Sequence, residues 1–539
     1  MYRLNRGPSV HKDHKVAFNK VAMAAQFVTP ETFDSLIAHG LREQQAGNWK
    51  DALSSFLQAA RQDPSRAPVY LLIGNCFSRM DDWAGAKENY QRAIATDPGY
   101  ADAYNNLGLA LQATGCDHEA IAAHAKAAEI DPNHANAHFN LGKMCARFNE
   151  FPAAMAMFEK ALAVEPEHAY ALHELGSVEE RCGLLEKAAA SYRRSLKLDP
   201  TRTVRENLAA VLTQMGDPEG IAMQEQLVRE HPDEAEPHWN LGMGLLQHGR
   251  YAEGWREFEW RIDIPRFRNT HHTFAKPRWT GERLDGKTIL LYGEQGHGDT
   301  LQFLRYLPLV AERGGRIALV VPPLLRGLLS GLPHVAACVG LADPKPEFDT
   351  YASLMSLPHI LEHYRIPPPL TLKIPESGPV NPASTAKLNV GLAWAGSPKQ
   401  KRDHLRSIPL ALWNRLSAVE GVDFTALQMG RPNPNAGNAG HTFHFVCDCV
   451  DFEDFAELAA VVAKLDLVIA VDTAVAHLAG SLGKPVWILL SNTMDWRWGL
   501  QGTSTDWYPN ARLFRQTAPA DWTQVMADVE DALKRLAAL

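Results

Sequence analysis

No apolar run in the chain approaches the roughly 18 residues that a membrane helix needs. The only apolar patch near the start is Val21 to Val28, and Gln26 interrupts it. A membrane span is therefore not expected, nor is a cleaved secretory leader. Residues 1–32 carry Arg3, Arg6, Lys12, Lys15 and Lys20 and read as a flexible leader. Basic charge is not in excess either. The 54 Lys and Arg stand against 62 Asp and Glu, for a net charge of −8. That balance argues against nucleic-acid binding, which needs a basic stripe or domain; the one basic stretch, Lys399 to Arg406, is confined to a loop. Cysteine is sparse: seven in 539 residues, odd in number and without framework spacing. A disulfide scaffold is not expected. Cys447 and Cys449 lie one residue apart, which fits no zinc pattern. Reduced cysteines suit a cytoplasmic protein, with no metal site and no cofactor.

What the chain does have is a period. Gly40, Gly74, Gly108, Gly142 and Gly176 are each 34 residues apart. The same spacing joins Ala52, Ala86, Ala120, Ala154 and Ala188, and again Pro64, Pro98, Pro132, Pro166 and Pro200. Small residues let two helices approach, and proline stops the second helix of each pair. Phe56, Tyr90, Phe158 and Tyr192 share a further column, with His124 as the odd member. A period of 34 with these columns is that of the tetratricopeptide repeat. The sixth repeat is irregular, with Pro232 only 32 residues after Pro200 and Ala210 in place of glycine. A seventh restarts at Trp239-Asn240-Leu241-Gly242 and ends in Trp255-Arg256-Glu257-Phe258-Glu259-Trp260-Arg261. That last helix is expected to cap the array and dock it on the next domain. The fold over 33–262 is thus an all-α tetratricopeptide superhelix, whose groove binds a protein or peptide partner.

The pattern changes after Arg261. Residues 263–286, with Pro265, Pro277, Trp279 and Gly281, read as an irregular connection. Short apolar runs then alternate with helical stretches, the pattern of parallel α/β sheets. The first lobe, 287–378, opens with a strand at 288–292 and the loop Gly293-Glu-Gln-Gly-His-Gly-Asp299, followed by a helix from Thr300 to about Arg313. Further strands are expected at 317–321, 335–339 and 349–351. Residues 376–385 read as a linker. The second lobe, 388–539, has expected strands at 390–394, 424–428, 443–446, 467–471 and 486–490, with helices near 410–419, 453–464, 473–482 and 522–536. Ligands of such sheets bind at the carboxyl ends of the strands, where Asp299, Gly396, Asp472, Thr473, Ala474, Ser491 and Asp495 fall.

Three segments carry a resemblance. Gly-His-Gly-Asp299, Arg406-Ser-Ile-Pro409 and Asp472-Thr-Ala-Val-Ala-His477-Leu-Ala-Gly-Ser-Leu-Gly-Lys-Pro485 resemble glycosyltransferase family 9, the lipopolysaccharide heptosyltransferases. Asp495-Trp-Arg-Trp498 with Trp507-Tyr508-Pro509 resembles its tetratricopeptide-linked branch. The resemblance implies an α/β GT-B module of two Rossmann-like lobes, acceptor on the first and nucleotide sugar on the second, working by metal-independent inversion. No Asp-x-Asp is present in the sequence.

The resemblance makes Asp299 the catalytic base; the residue pattern alone also allows an N-cap of the Thr300 helix. It places the donor on Gly396, Arg406, Asp472, Thr473, Ala474, Val475 and His477, and the acceptor beside the loop containing Glu294, Gly296 and Gly298. The helix opening at Thr473 can turn its amides toward a diphosphate. Asp472 orients the loop or a sugar hydroxyl, or caps the helix. His477 either reaches the phosphates or packs as a buried ring. Lys399, Lys401 and Arg402 assist or form a solvated loop. Trp496, Trp498, Trp507 and Tyr508 line the donor pocket or fill the core. Glu294 is the second candidate base. The repeats are expected to serve the acceptor and not the donor. The competing readings are a non-catalytic tetratricopeptide adaptor and a glycolipid or lipopolysaccharide transferase. Helical repeats before a GT-B module also resemble protein O-linked N-acetylglucosamine transferases.

Overall fold

The computed structural model describes residues 32–267, 274–374, 387–398, 400, 403–429, 445, 452–493, 495–519 and 521–538. The leader, the linker at 376–385, Lys399, Lys401, Arg402, Cys447, Cys449 and all but Phe445 of the expected strand at 443–446 lie outside these residues. The chain divides into two compact units, Met1–Leu141 and Gly142–Leu539.

The first unit holds helical hairpins built from Phe33–Gln45 with Trp49–Gln62, Ala67–Arg79 with Trp83–Thr96, and Ala101–Ala113 with Asp117–Ile130. The glycine column exists because a ring lies on it. A Cβ on Gly40 would sit 2.4 Å from the Phe56 ring, one on Gly74 2.5 Å from Tyr90, and one on Gly108 2.5 Å from His124. The odd histidine is fully buried. Asn105 Oδ1 at 3.1 Å and Gln112 Nε2 at 3.2 Å satisfy its two nitrogens. The column therefore accepts the imidazole because amides come with it.

The second unit holds the later repeats and the α/β module together. Its hairpins include Ala169–Arg181 with Leu185–Leu198, Arg202–Gln214 with Pro218–Glu230, and Ala235–Gln247 with Tyr251–Phe258. The first sheet is formed by β1 (Thr288–Tyr292), β2 (Arg316–Val321), β3 (Val335–Gly340) and β4 (Thr350–Ser353), all parallel in the order β3-β2-β1-β4. The second is formed by β5 (Leu388–Ala393), β6 (Val422–Ala426), β7 (Leu467–Val471), β8 (Val486–Leu490) and β9 (Ala511–Arg515), parallel in the order β6-β5-β7-β8-β9. Two parallel sheets behind a tetratricopeptide array are the GT-B arrangement. Strand order reverses between β1 and β4 and between β5 and β7, the two places where such sheets bind ligands.

One expected helix breaks into pieces. Residues 300–313 are not continuous: an α-helix spans His297–Phe303, a 3-10 turn Leu304–Tyr306, and a short helix Leu307–Ala311. Pro308 has no N–H to continue the hydrogen-bond ladder. The cap of the array docks as expected. Trp255 is 1% exposed. It meets Phe303 of the first lobe edge-on at 5.5 Å and Trp496 of the second at 5.2 Å. Arg261 is 0% exposed and donates to Glu294 at 2.5 Å, Glu259 at 2.6 Å and the Ser356 hydroxyl at 2.9 Å. Further back, His404 Nε2 lies 3.1 Å from the Arg181 carbonyl, and Asn492 Nδ2 donates to the Gly183 carbonyl at 2.7 Å.

Candidate active site

The loop after β1 carries the candidate base, and its local structure differs from the sequence reading. Asp299 does not cap the helix from outside. Gly296 is the N-cap and Asp299 is the third helical residue, its Oδ2 accepting from the Gly296 N–H at 2.7 Å. A carboxylate folded back onto the N-cap amide satisfies an otherwise orphaned donor and sits favourably in the helix dipole. The other oxygen, Oδ1, accepts from Arg497 Nη2 of the second lobe. One carboxylate thus holds the N-cap amide with one oxygen and Arg497 of the second lobe with the other. Burial raises the Asp299 pKa above its ordinary value, against the pull of Arg497 and the Gly296 amide. Glu294 is buried and held by Arg261 and by the Ser353 hydroxyl. It ties the end of the array to the first lobe.

Arg497 is the residue that sequence reasoning missed. It is 8% exposed and donates from Nε to Gln302 Oε1 at 2.7 Å, from Nη1 to both Asp495 oxygens at 2.8 and 3.0 Å, and from Nη2 to Asp299. Burial works against its charge, but Asp495 and Asp299 hold its pKa above the normal value. It lies inside the Asp495-Trp-Arg-Trp498 segment and pairs locally with Asp495, but the partner that gives it a role, Asp299, is 198 residues away.

The donor-side residues are assembled by β5, β7 and β8. Thr473, not Asp472, caps the helix Ala474–Ser481, its Oγ1 accepting from the Val475 N–H at 3.1 Å. Asp472 is left half-buried before it, and burial beside Asp495 pushes its pKa up to about 6, against Arg406 and Arg497. Arg406 Nη1 donates to the Asp472 carbonyl at 2.9 Å and Nε to Asp403 at 3.2 Å. Its guanidinium lies on Gly396, where a Cβ would meet Arg406 Nε and Asp403 Oδ1 at 2.4 Å. Arg406 therefore bridges the loops after β5 and β7, at the point where strand order reverses.

His477 faces the other lobe. It is 5% exposed, bonded through Nδ1 to the Tyr508 hydroxyl at 2.9 Å and stacked on Trp498 at 5.4 Å. Burial, reinforced by Arg497, Arg305 and Arg406, drives its pKa well below the usual value, so the ring is neutral. A Cβ on Gly298 would come within 2.6 Å of its Cδ2. Gly298 thus makes room for a neighbouring helix in this structure. The four aromatic candidates are also buried: Trp496 3%, Trp498 2%, Trp507 1% and Tyr508 1% exposed.

The lobes pack closely through Asp299–Arg497, Gly298–His477, and Arg305 Nη1, which donates to the Trp507 carbonyl at 2.9 Å. The cavities lie to the side of this seam, against the repeats. One, of about 410 Å³, has Arg406, Asp472, Ser491 and Asp495 on one wall and Gln224, Trp239 and Gln247 on another. A second, of about 570 Å³, lies at the ends of β1 and β4 and includes Trp260, Arg278, Tyr292, Tyr351 and Ser353.

A tetratricopeptide array on a two-sheet α/β module with this acid–arginine cluster defines a repeat-bearing protein of glycosyltransferase architecture. Residues 453–533 match glycosyltransferase family 9 (heptosyltransferase). Residues 79–115, 99–167 and 146–203 match tetratricopeptide repeats. The chain carries tetratricopeptide repeats and, at its C-terminal end, a family 9 glycosyltransferase domain. Protein FlbA of Caulobacter vibrioides is 29% identical over 368 residues, which are 61% of this chain and 58% of that protein. The match thus spans less than two thirds of that relative. Among solved structures, pilF of Pseudomonas aeruginosa aligns with a TM-score of 0.36 at 22% identity, over 38% of this chain and 94% of that one. PilW, described as a widely conserved type IV pilus biogenesis factor, aligns at 0.35 and 20% identity, over 40% and 97%. No helix among the described residues is long and apolar enough to cross a membrane.

Proposed function

We propose that the protein is a cytoplasmic, metal-independent, inverting glycosyltransferase. It moves a sugar from a nucleoside diphosphate to a protein, or to a glycan on a protein, recruited by the repeats. The observation that carries this is the meeting of Asp299, Arg497, Asp495, Asp472 and Arg406 across the two lobes. Glycosyl transfer needs a base for the acceptor hydroxyl, charge stabilisation for the departing diphosphate, and alignment of the two substrates. Asp299 supplies the base, and its raised pKa makes it a better proton acceptor than an exposed carboxylate. Arg406 and the amides of the Ala474–Ser481 helix supply positive potential for the diphosphate. The cavity at β1 and β4, lined by Trp260, Tyr292 and Tyr351, offers aromatic faces to the acceptor.

Calorimetry with nucleoside diphosphates and their sugars tests the reading, with and without a chelator. Binding that survives chelation and is lost in Arg406→Ala is the expected result. Abolition by the chelator would remove the metal-independent mechanism. Absence of binding by any diphosphate or sugar would favour the adaptor reading.

A further inference from the structure

The sixth repeat breaks the pattern of the array at one buried position. Counting back eight residues from the proline that ends each repeat gives Phe56, Tyr90, His124, Phe158 and Tyr192 in the first five. In the sixth, eight residues before Pro232, it gives Gln224. The first helix of that repeat is offset by 33 residues, so the glycine on which those rings pack is replaced there by Ala209, fully buried, and not by Ala210. A ring has become a smaller amide, and Gln224 lines the cavity of about 410 Å³. The repeat has given up core volume where it faces the second lobe.

The amide is also unsatisfied. Gln224 is 4% and Gln247 7% exposed, and Gln224 Oε1, Gln247 Nε2 and Trp239 Nε1 have no hydrogen-bond partner among the described residues. Buried polar atoms of this kind are costly unless something meets them. Gln224, Gln247 and Trp239 line the same cavity as Asp472 and Asp495. Those two carboxylates repel phosphate and accept hydrogen bonds from hydroxyls, whereas Arg406 at the same rim attracts phosphate. A neutral, hydroxyl-rich group between carboxylates on one side and amides and an indole N–H on the other describes a sugar ring.

We propose that the donor's sugar sits in this cavity, and that the sixth and seventh repeats, through Gln224, Trp239 and Gln247, determine which sugar is taken. This rests on the glycosyltransferase reading of the same site. It changes the role expected of the repeats: the end of the array belongs to the donor site as well as serving the acceptor.

The test compares diphosphate with sugar diphosphate on the full chain. Wild type is titrated with UDP, GDP, ADP and dTDP, then with UDP-N-acetylglucosamine, UDP-glucose, GDP-mannose, ADP-heptose and dTDP-glucose. The pairs are repeated with Arg406→Ala, Gln247→Leu, Gln224→Leu and the double variant Ala209→Gly with Gln224→Phe, which restores the glycine and ring of the other repeats. The leucine and double variants are expected to melt at or above the wild-type temperature, because they remove unmet polar atoms or fill space. They are expected to weaken the sugar diphosphate at least tenfold and leave the bare diphosphate unchanged, whereas Arg406→Ala weakens both. Unchanged sugar affinity in the glutamine variants, with Arg406→Ala still disruptive, overturns the proposal and leaves the glycosyltransferase reading standing. Equal loss of diphosphate and sugar diphosphate also overturns it, because the repeats would then be reading the base. Failure of every probe to bind wild type removes both.

Discussion

The buried pair that joins the array to the first lobe allows a sharp stability test. Arg261 and Glu294 both have side chains with no exposure, and Arg261 Nη2 approaches Glu294 Oε1 at 2.5 Å with Nε at 3.2 Å. Replacing Arg261 by Met keeps the volume and takes the guanidinium away from the Glu294 carboxylate, which stays buried beside the Ser353 hydroxyl. Breaking a buried pair from one side costs about 3–5 kcal/mol, because the remaining charge is uncompensated. Replacing both, Arg261→Met with Glu294→Met, removes the charge altogether. Beyond the partly exposed Glu259 carboxylate, which loses Arg261 in the single variant too, its cost is the orphaned Ser353 and Ser356 hydroxyls, about 1–3 kcal/mol each at most. The double variant should therefore be at least as stable as Arg261→Met alone. The single variant should also recover stability as pH falls, because the stranded carboxylate picks up a proton. Urea unfolding followed by tryptophan fluorescence suits the measurement, since Trp255 and Trp496 lie in the same junction. Additive single effects in the double-variant cycle, or a cost for Arg261→Met below about 1 kcal/mol, would refute the reasoning.

Asp299→Asn keeps an oxygen for Arg497 and should lower turnover roughly 10²–10⁴-fold, the usual worth of a general base, with little change in donor affinity; a near-normal initial rate would move the base elsewhere. Gly298→Ala places a methyl 2.6 Å from His477 Cδ2 and should cost about 1–3 kcal/mol as the lobes are forced apart, read as a lowered urea midpoint. Asp472, with its pKa raised to about 6, gains its charge as pH rises through that value. Its contribution to stability is present below the ordinary carboxylate range and is lost as pH rises toward 6. A negatively charged donor should accordingly bind more weakly above pH 6 than below it, and calorimetry on Asp472→Asn should show a flat profile.

The array is legible in the sequence because repetition multiplies a weak signal: glycine, alanine and proline columns in one register leave few alternatives. β1, β7 and β8 can be read at their observed ends because they are buried on both faces and form unbroken apolar runs. β9, Ala511–Arg515, does not stand out as a strand, because Arg512 and Arg515 break the run at the edge of its sheet. The start of the Asp299 helix is off by three residues in sequence, since Gly296 and Gly298 look like loop whereas the helix already begins at His297. Thr473 and Asp472 are both plausible caps, and only the hydrogen bond to Val475 separates them. Arg497 and Gln224 are invisible for different reasons. The first meets Asp299 and Gln302 far away in sequence, its local pairing with Asp495 giving no hint of them, and the second stands out only once the irregular repeat is aligned on its proline.

The docking of Trp255 between Phe303 and Trp496 bears on how such a chain can grow. A duplicated 34-residue unit inserted before Gly142 would add a repeat to the array and leave the junction, both cavities and the acid–arginine cluster untouched. The same insertion after Arg202 would leave Gln224, Trp239 and Arg261 in place, because they lie downstream of it, but would carry Arg181 and Gly183 away from His404 and Asn492. Reach toward a partner can therefore vary by whole repeats at one end of the array, while the last two repeats are inherited as part of the reaction centre.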